Sequence, residues 1–253
     1  MIKGFYAAVS GMIVNAMRQN VLAHNIANMQ TPGFKQVLTT VEDFTHTEVD
    51  YSPGNLLRDP APAPVGMLGL GAQYGPEFVD FAQGGLMMTG NLYDLAIQGD
   101  GFFRVQTPDG LRYTRDGRFL RDAQNNLVTI EGYPVLSMGN QPIRLPEGDF
   151  NVRPDGTITV NGAVVAQLGL SRFQNPAAEL SRAGGNLFAG PAQSTAQGTV
   201  QVTQGALEMS NANPTRLMTE MVEVARSYEA AQKMVQNQDE LLGKAIASLG
   251  RIG

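Results

Sequence analysis

Apolar residues follow a seven-residue repeat at both ends of the chain and alternate with polar ones between turn signals in the middle. Toward the C-terminus the series Leu217, Met221, Val224, Tyr228, Ala231, Val235, Gln238, Leu242, Ala245, Leu249 advances in steps of four and three, and only Gln238 is polar. An a/d spacing held this long predicts a long helix with a coiled-coil seam. A second line (Met218, Val222, Ala225, Leu241) widens the stripe. Asn213-Pro214 supplies a start signal, an N-cap followed by proline at the first helical position. Glu220 and Glu223 near the start and Lys244 and Arg251 near the end suit the helix dipole. Glu229–Lys233 and Glu240–Lys244 are i,i+4 pairs in the favourable order.

The first 30 residues repeat the pattern. Ile2, Phe5, Val9, Met12, Ala16, Ala23 and Ile26 share one heptad frame, with Gln19 the polar exception. Thr31-Pro32-Gly33 ends this helix, because the residue before proline avoids the helical region. An amphipathic helix docked on its own domain produces similar spacing; the length of the seam and its recurrence at both termini favour a coiled coil. One covered seam stabilises such a helix by less than the backbone entropy lost in ordering it. These helices therefore need apolar partners on more than one face, and the expectation is a pair of ends that are loose in a free monomer and ordered on assembly.

Between the ends the periodicity changes. Residues 36–50 read as polar, extended and β-branched. Residues 52–76 are dense in Pro and Gly and read as an extended arm or linker. From about residue 78 short runs alternate with turn signals: Leu95–Ile97, Phe102–Val105, the Thr107-Pro-Asp-Gly110 turn, Arg112–Thr114, Asp116-Gly117, Asn125-Asn126, Glu131-Gly132, Pro154-Asp-Gly156, then Thr157–Val160, Asn161-Gly162 and Ala163–Leu170. Asn-Gly between two alternating runs is a strong hairpin signal. The expected fold class is α+β. Residues 1–35 and 210–253 form a coiled-coil-like terminal helical assembly domain, 36–77 the arm, and 78–209 a central antiparallel all-β domain.

Composition removes several functions. A net charge of −5 disfavours a nucleic-acid partner. No run of eighteen apolar residues predicts membrane insertion. The N-terminal apolar residues are periodic and broken by Asn15, Arg18 and Asn20, unlike the core of a cleaved signal peptide. Cysteine is absent, so disulfides and thiolate metal sites are excluded. His24 lies in the N-terminal helix and His46 in a polar stretch, neither beside a nucleophile or a ligand pattern. Gly99-Asp-Gly101 lacks the third glycine and the following helix of a phosphate loop. Asp109, Asp116 and Asp122 do not have calcium-loop spacing and sit beside turns. No catalytic, cofactor-binding or metal-ligating residue is assigned. An enzyme would require a pocket with convergent titratable groups, and none is visible.

Several ordered motifs carry a family resemblance. Asn25-Ile-Ala-Asn28-Met-Gln-Thr31-Pro32-Gly33-Phe34-Lys35 resembles the N-terminal signature of flagellar rod and hook proteins. Leu95-Ala-Ile-Gln-Gly99-Asp-Gly101-Phe102-Phe103, Tyr113-Thr-Arg-Asp-Gly117 and the stretch from Leu127 to Val135 resemble their central domain. Gly205-Ala-Leu-Glu208-Met-Ser210-Asn211-Ala-Asn213 and Arg226-Ser-Tyr-Glu229 resemble their C-terminal signature. The likeness covers nearly the whole chain, and it is to the flagellar basal-body rod proteins. Length and Gln141-Pro-Ile143 look most like the proximal-rod type, with the distal-rod type as the alternative. Met29-Gln30 departs from the small or polar residues more usual there.

The resemblance implies a structural subunit, exported unfolded by the flagellar type III apparatus without a cleaved signal. It implies assembly with copies of itself and other rod proteins into the helical shaft that crosses the periplasm. In that picture the terminal helices line the tube and the β domain lies outside. The competing reading from a different class is a monomeric β-domain binding module that uses its helices to grip a coiled-coil partner.

Overall fold

The computed structural model describes residues 2–51, 63–191 and 200–249. The chain opens with α1 (Ile2–Ala27), followed by β1 (Val37–Asp43), β2 (His46–Tyr51), β3 (Ala63–Gly69) and β4 (Ala72–Val79). Next come β5 (Leu86–Met88), β6 (Leu95–Gln98), β7 (Phe102–Thr107), β8 (Gly110–Thr114), β9 (Phe119–Arg121) and β10 (Leu127–Thr129). Then follow β11 (Phe150–Val152), β12 (Thr157–Val160), β13 (Ala163–Gln167), β14 (Leu170–Ser171), the one-turn helix α2 (Pro176–Glu179), β15 (Ser181–Gly184) and β16 (Leu187–Ala189). β17 (Gln201–Gln204), β18 (Ala206–Glu208) and the long helix α3 (Pro214–Leu249) complete the order. This is an α+β chain with a helix at each end and antiparallel strands between. It divides into two compact units: residues 1–24, 38–78 and 215–253 in the first, 25–37 and 79–214 in the second.

The first unit joins both helices with the segment that the sequence sets apart as an arm. There β1 pairs with β4 and β2 with β3. The β2–β3 ribbon runs antiparallel from His46 opposite Gly69 to Tyr51 opposite Ala63. Residues 52–62 of the arm lie outside the described residues. Ser10 ties α1 to β4: its Oγ donates to the Ala7 carbonyl at 2.9 Å and accepts from the Ala72 N–H at 3.2 Å. α1 and α3 meet where Gln238 Nε2 lies 2.8 Å from the place a Cβ on Gly4 would occupy. The one polar member of the C-terminal seam therefore fills the space that a glycine leaves on α1.

The second unit is built on the five-stranded sheet β14-β7-β8-β16-β15. Within it β7 is covered on both faces, so adjacent phenylalanines enter different cores, as the two-residue strand period requires. Phe103 joins Leu95, Ile97, Val105, Phe119, Leu127 and Ile158 in one cluster. Phe102 joins Tyr113, Phe173, Leu180 and Phe188 in the other, with edge-to-face ring contacts of 4.9 Å (Tyr113–Phe173) and 5.6 Å (Phe102–Phe173). The β7–β8 hairpin closes with Thr107 opposite Gly110. The β12–β13 hairpin turns at Asn161 and Gly162, φ +51° and +80°. Two consecutive left-handed residues match the twist of the strands they join, and Asn and Gly adopt that conformation most easily.

Candidate assembly site

The motifs that resemble the two ends of rod proteins converge in the second unit. Where α1 stops, the buried Asn25 acts as a surrogate strand. Its Nδ2 donates to the Val37 carbonyl at 2.7 Å and its Oδ1 accepts from the Val37 N–H at 2.9 Å. Thr31 Oγ1 donates to Asn28 Oδ1 at 3.3 Å, and the Pro32 carbonyl accepts from Asn186 Nδ2 at 3.3 Å. Gly33 turns the chain with φ +70°, and a Cβ there would run into the backbone of Arg115 and Asp116. Its N–H donates to the Glu208 carbonyl at 2.7 Å. Phe34 is buried beside this turn. From the other end of the chain, Asn211 Oδ1 accepts from the Gln36 N–H at 2.9 Å and Asn211 Nδ2 donates to the Asp80 carbonyl at 2.8 Å. Ser210 Oγ accepts from the Ala212 N–H at 3.2 Å, and Asn213 is exposed just before α3. Gly99, φ +98°, and Gly101 make the tight approach to β7 and its Phe102-Phe103 pair.

At the centre of this junction is a buried ion cluster. Lys35 Nζ donates to Glu208 Oε1 at 2.6 Å and to the Ala82 carbonyl at 2.7 Å. Arg115 Nη1 donates to Glu208 Oε2 at 3.0 Å, and its Nη2 to the Gly99 carbonyl at 2.7 Å. The Gly84 N–H adds a third donor to the carboxylate, 2.9 Å from Oε1. The Lys35 and Glu208 side chains have no exposed surface, and the Arg115 side chain almost none. The Arg115 guanidinium also lies 4.9 Å from the centre of the Phe102 ring, a favourable cation–π distance. Burial pushes the Lys35 ammonium below its ordinary value, while the Glu208 carboxylate pulls it back up. Burial likewise lowers Arg115, again opposed by Glu208. Two cations on one carboxylate leave a positive excess, and the Ala82 and Gly99 carbonyls are placed to absorb it. The cluster ties the N-terminal motif (Lys35), a central motif (Arg115, Gly99) and the C-terminal motif (Glu208) into one fixed point.

Lys35, Arg115 and Glu208 stand inside the resembling motifs, yet no sequence pattern marks them as partners. Only the position of Glu208 on a short apolar strand hints that its charge is buried. Turn carboxylates behave locally: Asp116 Oδ1 accepts from the Arg118 N–H and Asp122 Oδ1 from the Asn126 N–H.

The helical faces belong to the first unit, except the end of α1 from Asn25, which belongs to the second. On α3, Leu217 and Val224 are buried, Met221, Tyr228 and Val235 half-buried, and Leu242 exposed. The heptad seam is thus the line on α3 that the chain's own residues cover, most completely at its N-terminal half. The second line stays open, with Met218 and Val222 each 52% exposed. On α1, Phe5, Val9, Met12, Ala16 and Ile26 are half-buried and Ala23 is exposed, whereas Ala8, Val14 and Leu22 are the most covered apolar residues. The side chains of Ile2 and Leu249 lie outside the described residues. Among the described residues no group of three or more His, Cys, Asp or Glu is placed to hold a metal, and no described helix is long and apolar enough to cross a membrane. The first unit presents apolar helix faces, an arrangement suited to binding protein surfaces, and the second brings Lys35, Arg115 and Glu208 from three motifs to one buried junction.

Three stretches of the chain match models of known families. Residues 5–35 match the family model described as flagella basal body rod protein. Residues 96–160 match the flagellar hook protein FlgE/F/G D1 domain, and residues 203–248 the C-terminal model of flagellar basal body rod FlgEFG proteins. The chain is similar to the flagellar basal-body rod protein FlgF of Rhizobium meliloti, with 35% identity covering 98% of each chain. It is similar to the FlgG rod protein of Borreliella burgdorferi at 34% identity, over 97% of this chain and 98% of the relative. The FlgF protein of Caulobacter vibrioides is 34% identical over the full length of both.

Proposed function

This chain belongs to the flagellar basal-body rod protein family, and from that membership we propose that it is a rod subunit that polymerises helically through its terminal helices. Its role is structural, as the family's is. Its place is the flagellar basal body and its partners are other basal-body proteins. The finer reading adds copies of itself among those partners. It also adds passage through the flagellar export apparatus without a cleaved signal and a position in the part of the shaft that crosses the periplasm.

One observation carries the self-assembly reading. In the helical unit, large apolar residues stay exposed on both helices (Tyr6, Ile13 and Met17 on α1; Met218, Val222, Met234 and Leu241 on α3) after the chain has covered Leu217 and Val224. Apolar faces of this kind mark protein contacts. If they meet unlike faces on the next copy, the contact is heterologous and extends as an open helix rather than a closed ring. The relatives' names divide between FlgF and FlgG at nearly equal identity, so the proximal position suggested by length and Gln141-Pro-Ile143 is retained with the distal position as its alternative.

The test is complementation in a strain lacking this chain. The full chain restores motility, and purified basal bodies contain it. Without it, imaging shows a rod that stops short, and the level of the break distinguishes proximal from distal. A chain truncated after Asn213 that still restores motility overturns the reading.

A further inference from the structure

The first unit holds an apolar groove of about 670 Å³ between α1 and the arm strands. Tyr6, Ile13 and Met17 form its helical wall, and Phe44 and Leu70 belong to the opposite side. Ser10, Gln73 and Tyr74 are its polar residues, and the Tyr74 hydroxyl donates to Glu77 Oε1 at 2.7 Å. Tyr6, Ile13 and Met17 recur at i, i+7 and i+11, which keeps them on one face of the helix, and Ile13 is 52% exposed.

The same unit carries a second open apolar face. Met218 and Val222 on α3, with Ala230 beside them and Glu223 and Arg226 at the rim, line a shallow depression. This face differs from the Leu217–Val224 line, because neighbours one residue apart on a helix do not share a side. Having spent that covered line on its own chain, α3 presents Met218 and Val222 to something else. We infer that the α1 groove of one copy receives the Met218–Val222 face of α3 from a second copy.

Charge supports a second copy as the occupant. α1 has no Asp or Glu and carries Lys3 and Arg18. α3 sets five acids (Glu220, Glu223, Glu229, Asp239 and Glu240) against four bases (Arg216, Arg226, Lys233 and Lys244), a net charge of −1 against +2 on α1. Helices of opposite net charge attract, while two α1 helices brought face to face repel. The packing is of the ridge-into-groove kind, with Met218 and Val222 as the ridge. Groove and ridge are different patches of one chain, so each copy offers one of each, and the contact repeats without closing. This inference rests on the self-assembly reading above and specifies which faces meet.

The chain contains no cysteine, which makes disulfide trapping a clean test. Ile13→Cys and Val222→Cys are introduced singly and together at these exposed positions, and basal bodies are isolated from motile cells and oxidised. The double variant gives a ladder of dimers, trimers and larger species. The two single variants co-expressed give dimers only, each joining one Ile13→Cys chain to one Val222→Cys chain, and either single variant alone stays monomeric. Self-linked Ile13→Cys or Val222→Cys dimers, a bond closed within one chain, or basal bodies that contain the double variant without any linked species each overturn the pairing. Basal bodies that lack the chain altogether overturn the rod reading itself. The pair Met17→Cys and Met218→Cys interrogates the same contact where either first substitution hinders assembly.

Discussion

Replacing Glu208 by Gln preserves shape and removes the one negative charge from the buried cluster. Lys35 and Arg115 then keep only neutral acceptors, the Ala82 and Gly99 carbonyls and the Gln amide oxygen, with no counter-charge. Breaking a buried pair by removing one partner costs about 3–5 kcal/mol, because the remaining charge is uncompensated. Gln adds a second fault, since its amide group sets donors against the Arg115 guanidinium. With a urea slope of about 2 kcal/mol per molar, the unfolding midpoint of the second unit falls by about 1.5–2.5 M. Lys35→Met is the contrasting change. It leaves the Arg115–Glu208 pair neutral and intact, and the Ala82 carbonyl keeps the Asn211 Nδ2 donor at 3.2 Å, so the loss is that of ordinary hydrogen bonds, about 0.5–1.5 kcal/mol each. The chain has no tryptophan, so tyrosine fluorescence, with Tyr113 fully buried in this unit, reports the transition. The pH response has a fixed sign. Burial holds Lys35 below its ordinary 10.5, so between that lowered value and 10.5 the native state binds fewer protons than the unfolded chain. Its stability therefore rises with pH in that window. Removing Glu208 removes what raises Lys35, so in Glu208→Gln the rise begins at lower pH and is larger, and adding Lys35→Met abolishes it. A Glu208→Gln loss no larger than that of Lys35→Met, or a loss insensitive to alkaline pH, refutes the account of the cluster.

Three further perturbations separate the units. Val224→Asp places a charge at a position 1% exposed and lowers the melting of the helical signal at 222 nm sharply, a buried unpaired charge being among the most damaging changes; Met218→Asp shifts that melting by no more than about 0.5 kcal/mol yet abolishes motility, and equal melting of the two variants contradicts the assignment of covered and open faces. Gly33→Ala, at φ +70° against the Arg115–Asp116 backbone, costs about 1–3 kcal/mol from backbone strain alone, read as a drop in the melting temperature of the second unit; an unchanged temperature rejects the constraint. Asn25→Ala orphans the Val37 N–H and carbonyl at about 1–3 kcal/mol, seen as faster hydrogen exchange at the Val37 amide; unchanged exchange shows that another group satisfies it.

The local elements could be read along the chain without any fold in hand. Heptad steps specify a helix because side chains every three or four residues share a side, and Asn161-Gly162 specifies a hairpin because few residue pairs accept two left-handed conformations. These signals are short in range, so distant packing does not erase them. The start of α3 at Pro214, the β7–β8 and β12–β13 hairpins and the α+β class were legible for that reason, while α1 stops at Ala27, short of the Thr31-Pro32-Gly33 signal. Whatever depends on distant partners was settled by packing. Lys35, Arg115 and Glu208 read as ordinary charges until a separation of 173 residues between Lys35 and Glu208 closes to 2.6 Å. Periodicity marked Leu217 and Met218 alike as apolar stripe, and only packing showed that the first is covered and the second open. The arm's polar strands gave no hint that Phe44 and Leu70 would line a groove with α1, because a cavity is a property of surfaces brought together, and a one-dimensional pattern holds no information about which surfaces those are.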